Sequence, residues 1–262
     1  MLSERLVFKP DKQIAGHPSQ FGLEFEEVWL ETSDRVRLHA WHFPGPRELA
    51  LVWFHGNRGN ISQRLDTVRL LHDHLGLSIL LFDYRGYGRS EGRPSEQGLY
   101  RDGEAAVQWV RQHPRLGNQP IVFFGRSLGS AVAVEMATRS QPSGVVLEAA
   151  FPSIQEVAKK SLSGRIITPL FLTRFNTAAK IQRINAPVLI IHGDRDEDVP
   201  ITHGLRLFQQ CNQPKWLYTV SGAGHHDVMQ VAGEKYFEAL GRFIERIEGK
   251  RSVEAKSTWL EV

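Results

Sequence analysis

Short runs of consecutive apolar residues recur along the chain and do not alternate with polar residues. A strand that is buried on both faces of a sheet gives a continuous apolar run, whereas a strand with one solvent-exposed face alternates. We therefore predict a set of buried strands at residues 49–54, 77–82, 120–124, 143–149, 187–191 and 215–220.

Helix-like segments separate several of these strands. Residues 95–113, SEQGLYRDGEAAVQWVRQH, carry apolar side chains at helical spacing. The alternation of strands and helices predicts an α/β fold with a largely parallel sheet flanked by helices. Residues 23–32, LEFEEVWLET, and 35–43, RVRLHAWHF, do alternate between apolar and polar positions. We therefore predict that these two stretches form an antiparallel hairpin at the edge of the sheet.

The composition is that of a single folded unit. The chain has 262 residues, 41% of them hydrophobic, and a net charge of +3. We predict one domain over residues 1–262, with a polar, unpacked tail at 250–262. Cys211 is the single cysteine of the sequence, so no internal disulfide is expected. The first residues lack a signal-peptide core, and no nucleic-acid motif is present, so we expect a cytoplasmic protein of undetermined oligomeric state.

A serine lies between one of the predicted buried strands and a helix-like run. Residues 125–129, GRSLG, follow the strand at 120–124 directly. The pattern G-x-S-x-G between a strand and a helix is the nucleophile elbow, a sharp turn that exposes the serine at the carboxyl edge of the sheet. The two glycines let neighbouring backbone approach closely. We therefore predict that Ser127 is a catalytic nucleophile and that Arg126 is a structural ion-pair partner.

A nucleophilic serine needs a histidine as its base, and after such an elbow the chain order is serine, acid, histidine. The histidines that follow the serine are His192, His203, His225 and His226. The first begins an acidic stretch, and the second falls in an apparent helix. Asp227 is well placed to cap the final helix, which puts His226 at the helix entrance. We therefore predict His225, free in the preceding loop, as the base.

The oxyanion of a tetrahedral intermediate needs backbone N–H donors. Leu128, the residue after the nucleophile, supplies one donor in this motif, and a loop after an earlier strand supplies the other. That loop begins at His55 in the sequence FHGNRGN, so we predict the N–H of Asn57 as the second donor. A plain turn and a phosphate-binding loop are the alternatives. The phosphate-binding loop would require the pattern G-x-x-x-x-G-K-[ST], whose lysine is absent.

Residues 192–200, HGDRDEDVP, combine several carboxylates after the strand at 187–191. Their D-x-D-x-D spacing, starting at Asp194, is also that of a calcium-binding loop. Such a loop would require glycine where Val199 stands and glutamate where Leu205 stands. Because both positions fail, the stretch is better explained as the source of the carboxylate that orients the base.

The residues alone leave the choice of that carboxylate open. Asp194 could satisfy the amides of the turn in which it lies. Asp198 could serve the N-terminus of the helix that follows. Glu197 has a longer and looser side chain. Asp196 lies in the middle of the loop with the freest reach toward His225, and local geometry favours it without excluding its neighbours.

The chain resembles the α/β-hydrolase superfamily. It is most similar to a small-lid branch with the pattern FHGNxGN…LFDYRGYGRSEG…GRSLGS…HGxxDxxVP…GAGHHD. These segments begin at Phe54, Leu81, Gly125, His192 and Gly222. The resemblance implies the α/β-hydrolase fold, with a mostly parallel twisted sheet, flanking helices, antiparallel N-terminal edge strands and a short lid at about 151–183.

The same resemblance assigns roles to individual residues. It implies Ser127 as nucleophile, Asp196 as acid and His225 as base, and it implies oxyanion donors at Asn57 and Leu128. Within the DYRGYG segment it treats the following residues as structural: Asp83, Arg85 and Tyr87. It implies no metal ion and no organic cofactor.

Proteins of this branch are serine hydrolases, including esterases, lipases, thioesterases such as depalmitoylating enzymes, and peptidase-like relatives. We therefore expect hydrolysis of a carboxylic ester or thioester in a small-molecule or lipid-like acyl substrate. A serine peptidase or amidase that uses the same residues is the alternative. A non-catalytic interaction protein with this fold is a third hypothesis, against which the complete set of site residues argues.

The predicted lid bears on the substrate. From Val157 to Ile184 it contains lysines and arginines, interspersed with apolar residues, and no acid. Such a segment could contact a membrane surface weakly, or admit acyl chains attached to anionic head groups. We favour the simpler alternative, in which the apolar residues pack over the core and the charges stay in solvent.

Overall fold

The computed structural model describes residues 7–158, residues 174–249 and the backbone of residues 260–261. The strands are β1 (Lys9–Pro10), β2 (Glu26–Glu31), β3 (Arg37–Phe43), β4 (Ala50–Phe54), β5 (Arg58–Gly59), β6 (Ser78–Phe82), β7 (Ile121–Arg126), β8 (Gly144–Glu148), β9 (Val188–Gly193), β10 (Lys215–Val220) and β11 (Leu260–Glu261). The α-helices are α1 (Leu65–Leu75), α2 (Glu96–Gln112), α3 (Leu128–Ser140), α4 (Ile154–Ala158), α5 (Ala178–Ile181), α6 (Ile201–Gln210), α7 (Val228–Ala232) and α8 (Glu234–Ile247).

The main sheet has the strand order β11-β10-β9-β8-β7-β4-β6-β3-β2. The six strands from β10 to β6 in that order run parallel to one another. At one edge, β2 and β3 form an antiparallel hairpin, and β3 is also antiparallel to β6. The predicted α/β class, with a mostly parallel sheet and antiparallel N-terminal edge strands, is confirmed.

Alternate side chains of the central strands enter two apolar clusters, one on each face of the sheet. In β4, Val52 and Phe54 belong to one cluster, whereas Leu51 and Trp53 belong to the other. Residues from α2, α3 and α6 complete the first cluster, and residues from α1 and α8 complete the second. Because both faces of these strands are covered by helices, the sequence reads as continuous apolar runs rather than as alternation.

The last helical part of the chain differs from its prediction. The apolar spacing predicts one helix after Asp227, but the structure has α7 and α8, which meet at Gly233. The φ of Gly233 is 56°, in the left-handed region that favours glycine and interrupts a helix. The side chain of Asp227 does not cap α7. Its Oδ1 accepts the N–H of Gly224 at 2.7 Å instead, because that donor lies in the adjoining turn.

Two predicted segments lie partly outside the described residues. The lid at about 151–183 is described at 151–158 and from residue 174 onward, so half of its basic residues lie outside the description. The sequence predicts an unpacked tail at 250–262, but the backbone of Leu260–Glu261 pairs antiparallel with β10. An edge strand presents unpaired backbone groups that can accept such a partner. In the described ranges, no helix combines the length and hydropathy of a bilayer-spanning segment.

Candidate active site

Ser127 occupies the sharp turn between β7 and α3. Its φ of 51° and ψ of −118° lie outside the regions that residues with a side chain usually adopt. A Cβ atom on Gly129 would lie 1.8 Å from the carbonyl oxygen of Phe54, and one on Gly125 would lie 2.6 Å from the carbonyl oxygen of Gly129. Both positions therefore require glycine, which is the steric origin of the G-x-S-x-G pattern.

His225 lies in the loop between β10 and α7 and contacts Ser127. Its Nε2 is 3.1 Å from the serine Oγ, and its Nδ1 is 2.7 Å from Oδ2 of Asp196. If Nδ1 carries the proton, His225 donates to the carboxylate and accepts from the serine hydroxyl. His226 is exposed, and its Nε2 lies 3.4 Å from Oδ2 of Asp198. The structure therefore brings Ser127, His225 and Asp196 into one row.

Asp196 is buried, although the residues on either side of it in the chain are exposed. Its Oδ1 accepts the N–H of Val199 at 2.7 Å, and its Oδ2 lies 3.5 Å from Nε2 of His192. Burial acts to raise the pKa of Asp196, but hydrogen bonds from His192 and His225 outweigh it and hold the pKa well below the ordinary value of 3.8. Asp196 is therefore an ionised carboxylate at neutral pH.

The other aspartates of this loop have different partners. Asp194 accepts the N–H of Gly222 at 2.7 Å and the hydroxyl of Ser221 at 3.1 Å. It therefore satisfies groups of the turn after β10, whereas its position in the sequence suggests the amides of its own turn. Asp198 faces the exposed His226 rather than the first turn of α6. Because the carboxylates turn toward separate partners, the calcium-like spacing does not correspond to a common cation site among the described residues.

The loop after β4 passes beside the nucleophile elbow. A Cβ atom on Gly56 would lie 3.7 Å from the Cβ of Ser127, and Asn57 lines the same cavity as Ser127. Leu128 is the first residue of α3, and the first N–H groups of a helix have no acceptor within that helix. The two predicted oxyanion donors therefore belong to segments that adjoin Ser127, and their role in catalysis stays a prediction.

Hydrogen bonds from distant parts of the chain fix the position of Asn57. Its carbonyl oxygen accepts the N–H of Lys9 at 3.1 Å and the hydroxyl of Tyr87 at 2.9 Å. Its side chain donates to the carbonyl of Val7 at 2.9 Å. The N-terminal segment and the DYRGYG loop therefore hold this peptide in place beside the elbow.

Asp83 and Arg85, the other two DYRGYG residues for which a structural role is predicted, also contact distant parts of the chain. Asp83 Oδ1 accepts the N–H of Ile61 at 3.0 Å. Arg85 joins two acids, with Nε 2.8 Å from Oδ1 of Asp102 and Nη1 2.8 Å from Oδ2 of Asp34. These contacts tie the loops after β2, β6 and β4 to the body of the domain, which agrees with the structural role that the resemblance implies.

Arg126 makes one contact that the sequence predicts and one that no local sequence pattern predicts. The ion pair expected for Arg126 is present, with Nε 2.9 Å from Oε1 of Glu148. Its Nη2 also donates to the backbone carbonyl of His225 at 3.1 Å, across 99 positions of the chain. Glu148 in turn accepts the hydroxyl of Tyr236 at 2.5 Å.

His192 is not the predicted base, and it contacts Asp196 instead. Its place in the HGxxD pattern is the sequence feature that could identify this contact.

Ser127 and His225 line a cavity of about 230 Å³. Among the described residues that line it are Arg58, Arg64 and Arg126, and none is an Asp or a Glu. An acyl carbonyl placed in this cavity can therefore meet the serine hydroxyl in positively charged surroundings.

A group that could hold a metal ion lies at the opposite end of the strands. The ligand atoms of Glu26, His42 and His113 all lie within 4.8 Å of one another. His42 is the penultimate residue of β3, and Phe43 after it pairs with Ile79 near the start of β6, whereas Ser127 follows the carboxyl end of β7. In the part of the chain that the structure describes, no other cluster has this geometry. The expectation that the chemistry at Ser127 needs no metal stays a prediction.

Comparison with known proteins identifies the family. A family model described as serine aminopeptidase, S33, matches residues 45–174. The α/β-hydrolase domain-containing protein WAV2 of Arabidopsis thaliana is 34% identical over 270 residues, covering 93% of this chain and 87% of that protein. The protein bem46 of Schizosaccharomyces pombe is 32% identical over 238 residues, covering 87% of this chain and 79% of its own length. This chain belongs to the α/β-hydrolase superfamily.

Solved structures agree with that membership. The esterase Pf2001 of Pyrococcus furiosus matches this α/β hydrolase with a TM-score of 0.80 at 18% identity, over 92% of this chain and 98% of the esterase. At that identity the likeness is one of fold, and it confirms the predicted α/β-hydrolase fold. Family membership makes hydrolysis the reaction class of this α/β hydrolase, whereas the bond that it cleaves is a separate question.

Proposed function

We propose that this α/β hydrolase is a serine hydrolase that cleaves carboxylic ester or thioester bonds of acyl substrates. The observation that carries the proposal is the hydrogen-bonded row from Asp196 through His225 to Ser127, in the wall of a cavity. A serine hydroxyl is a weak nucleophile by itself, and it needs a base and a group that orients the base. The row supplies both.

In the proposed acylation step, Oγ of Ser127 attacks the carbonyl carbon while Nε2 of His225 takes the hydroxyl proton. Asp196 keeps the proton on Nδ1 and stabilises the imidazolium that forms. The carbonyl oxygen becomes an oxyanion, to which the N–H groups of Asn57 and Leu128 donate. His225 then protonates the leaving alcohol or thiol as its bond to carbon breaks, and an acyl-enzyme remains.

Water completes the proposed cycle. His225 takes a proton from a water molecule whose oxygen attacks the acyl carbon. The second tetrahedral intermediate collapses, the bond to Oγ of Ser127 breaks, and His225 returns the proton to the serine. The carboxylic acid leaves. Because serine, not aspartate, stands at the elbow, the nucleophile suits acyl transfer rather than direct attack on an alkyl carbon.

A serine peptidase or amidase is the second candidate, and one observation favours it. The family model that matches residues 45–174 is described as serine aminopeptidase, S33. An aminopeptidase must bind the free ammonium group of its substrate, for which a nearby carboxylate is the natural partner. The described residues that line the cavity include arginines and no acid. That charge favours an ester or thioester over a peptide with a free N-terminus.

The test is a substrate panel applied to the wild type and to Ser127→Ala. The panel contains 4-nitrophenyl esters of rising acyl length, an acyl thioester and a 4-nitroanilide. We expect the wild type to hydrolyse the esters and the thioester, and Ser127→Ala to lose at least about 10⁴-fold in kcat. Cleavage of the anilide alone would turn the proposal to the second candidate. Full ester turnover by Ser127→Ala would exclude Ser127 as the nucleophile.

A further inference from the structure

Positive charge is concentrated in the cavity beside the nucleophile. The guanidinium-bearing residues Arg58, Arg64 and Arg126 all line it. No described residue of its lining is acidic. Residues 159–173 of the predicted lid contain no Asp or Glu in their sequence, so that segment cannot supply the missing negative charge. Charges of one sign in a concave site create a potential that attracts ligands of the opposite sign.

One of these arginines is accounted for by the fold. Arg126 forms an ion pair with the buried Glu148, with Nε 2.9 Å from Oε1. Its Nη2 donates to the carbonyl of His225. Arg126 therefore has both a partner of opposite charge and a structural task.

Arg64 has neither. It is partly buried, its Nη2 donates to the carbonyl of Arg58 at 2.7 Å, and no carboxylate of the described residues lies within 4.0 Å of its guanidinium. Burial and the neighbouring charge of Arg126 lower the pKa of Arg64 to about 10, against a weaker attraction from Asp83. Arg64 thus stays protonated at neutral pH. A partly buried charge without a counter-charge is destabilising, and an anion in the cavity would relieve that cost.

The chemistry of the neighbouring side chains fits such an anion. Arginine presents a planar fork of N–H donors that matches the oxygens of carboxylate and phosphate. Arg58 is exposed at the cavity and, among the described residues, has no ion-pair partner within 4.0 Å. Its side chain can therefore turn toward a ligand that Arg64 holds.

On this basis we infer that the acyl substrate carries an anionic group, a carboxylate or a phosphate, which Arg64 and Arg58 bind while its carbonyl lies at Ser127. The inference rests on the proposed function and names its substrate class. A neutral ester can use the same nucleophile, but it leaves the charge of Arg64 uncompensated. The enzyme should therefore prefer anionic esters over neutral ones of equal length.

The test compares mono-4-nitrophenyl adipate with 4-nitrophenyl hexanoate, which differ by a terminal carboxylate. We expect the ratio of their kcat/KM values to favour the adipate in the wild type and to fall by about 10-fold or more in Arg64→Gln. Arg64→Lys should lose less, because it keeps the charge and loses the fork. Arg101→Gln is the matched control, since Arg101 lies on α2 with its Nη1 3.0 Å from Oδ2 of Asp34. Its ratio should equal that of the wild type.

Competition identifies the anion. Adipate and inorganic phosphate are added separately to the hydrolysis of 4-nitrophenyl hexanoate. Stronger inhibition by one of them, weakened in Arg64→Gln, supports the inference and assigns a carboxylate or a phosphate accordingly. Inhibition by neither anion would overturn it.

Two failures are distinguishable. A wild type that is labelled by a fluorophosphonate and hydrolyses both esters, with a ratio that Arg64→Gln does not change, would overturn the anion site alone. A wild type that is not labelled and hydrolyses no ester would overturn the proposed function and this inference with it. A melting temperature for each variant separates loss of binding from loss of folding.

Discussion

Asp196 and Asp83 are both buried, and both lie near histidines, but their surroundings differ. Asp196 accepts hydrogen bonds from Val199 and His225 at 2.7 Å each. Asp83 accepts one, from the N–H of Ile61 at 3.0 Å, and its Oδ2 is without a hydrogen-bond partner among the described residues. Its nearest histidine nitrogens lie at 3.8 Å and 3.9 Å, on His55 and His39.

The two carboxylates consequently have pKa values shifted in opposite directions. Burial raises the pKa of Asp83, and the hydrogen bond from Ile61 and the nearby His39 do not compensate. Burial also acts to raise the pKa of Asp196, but the hydrogen bonds from His192 and His225 outweigh it and lower the pKa. The histidines differ too, because His225 reaches Ser127 with its second nitrogen, whereas Nε2 of the fully buried His55 has no hydrogen-bond partner in the described structure.

The difference separates the proposed catalytic His–Asp pair from a packing arrangement of the same residue types. A carboxylate can orient a base when it is kept ionised and when the base has a free side toward a cavity. Asp196 and His225 meet both conditions. Asp83 has a raised pKa instead, and neither His39 nor His55 lines the cavity. Each prediction below breaks one of the two arrangements.

Removing the histidines should give the largest contrast. We expect His225→Ala to lower kcat by roughly 10⁴- to 10⁶-fold, because the serine loses its base. His39→Ala removes a histidine near Asp83 and should lower the melting temperature, with less than about a 10-fold effect on kcat. Hydrolysis of a 4-nitrophenyl ester and thermal unfolding measure the two effects. His226→Ala is the neighbouring control, and a loss there equal to that of His225→Ala would contradict the assignment of the base.

Removing the charges should give the next largest contrast. Asp196→Asn keeps the shape of the side chain but leaves the imidazole in the wrong tautomer, so we expect a loss of roughly 10⁴-fold in kcat. Asp83→Asn should change kcat by less than about 10-fold. The same ester assay applies.

Two further variants control for position in the loop. Asp194→Asn and Asp198→Asn remove the carboxylates on either side, which contact Gly222 and His226. Both should retain kcat within about 10-fold. Losses at either position as large as that of Asp196→Asn would show that the loop, and not one carboxylate, is what matters.

The pH dependence of stability should give the smallest contrast, with opposite signs. The pKa of Asp196 is lowered on folding, so its stabilisation is present above the ordinary value of 3.8 and is lost as the pH falls toward the folded pKa. The pKa of Asp83 is raised, so its contribution is present below 3.8 and is lost as the pH rises through the folded pKa.

Melting temperatures of each Asp→Asn variant and of the wild type, between about pH 3 and about pH 7, measure these signs. The excess stability of the wild type over Asp196→Asn should grow as the pH rises. Its excess over Asp83→Asn should shrink. Each kcal/mol corresponds to about 2–4 °C in a domain of this size. Curves that move in the same direction would contradict the contrast between the two aspartates.

Much of the fold could be predicted because strands buried on both faces of a sheet give continuous apolar runs, and helix-like segments separate several of these runs. The helix break at Gly233 could not, because the apolar spacing of α7 and α8 continues across it. The left-handed φ of 56° is a property of the folded backbone. The pairing of Leu260–Glu261 with β10 likewise joins segments that no local pattern connects.

The residues of the candidate site likewise differ in how far the sequence predicts them. Ser127 could be predicted because the elbow imposes a local pattern of glycines, and His225 because chain order left few candidates. Asp196 needed the family resemblance, since residues 192–200 offer several carboxylates at similar spacing. In the folded protein Asp194 accepts a hydrogen bond from Gly222, which lies in a distant part of the chain. The spacing of the carboxylates alone could therefore not show which of them contacts His225. The position of Arg64 in the cavity and the contact from Arg126 to His225 depend on tertiary packing, so no local sequence pattern predicts them.

Covalent labelling tests the central claim most directly. A fluorophosphonate reacts with a serine hydroxyl that a neighbouring base activates, and it does not require knowledge of the natural substrate. The wild type should incorporate one probe per chain, with the mass shift on the peptide that contains Ser127. His225→Ala should label far more slowly, and Ser127→Ala should not label. A wild type that stays unlabelled, or a Ser127→Ala variant that labels at the wild-type rate, would contradict the claim that Ser127 is the activated nucleophile of this α/β hydrolase.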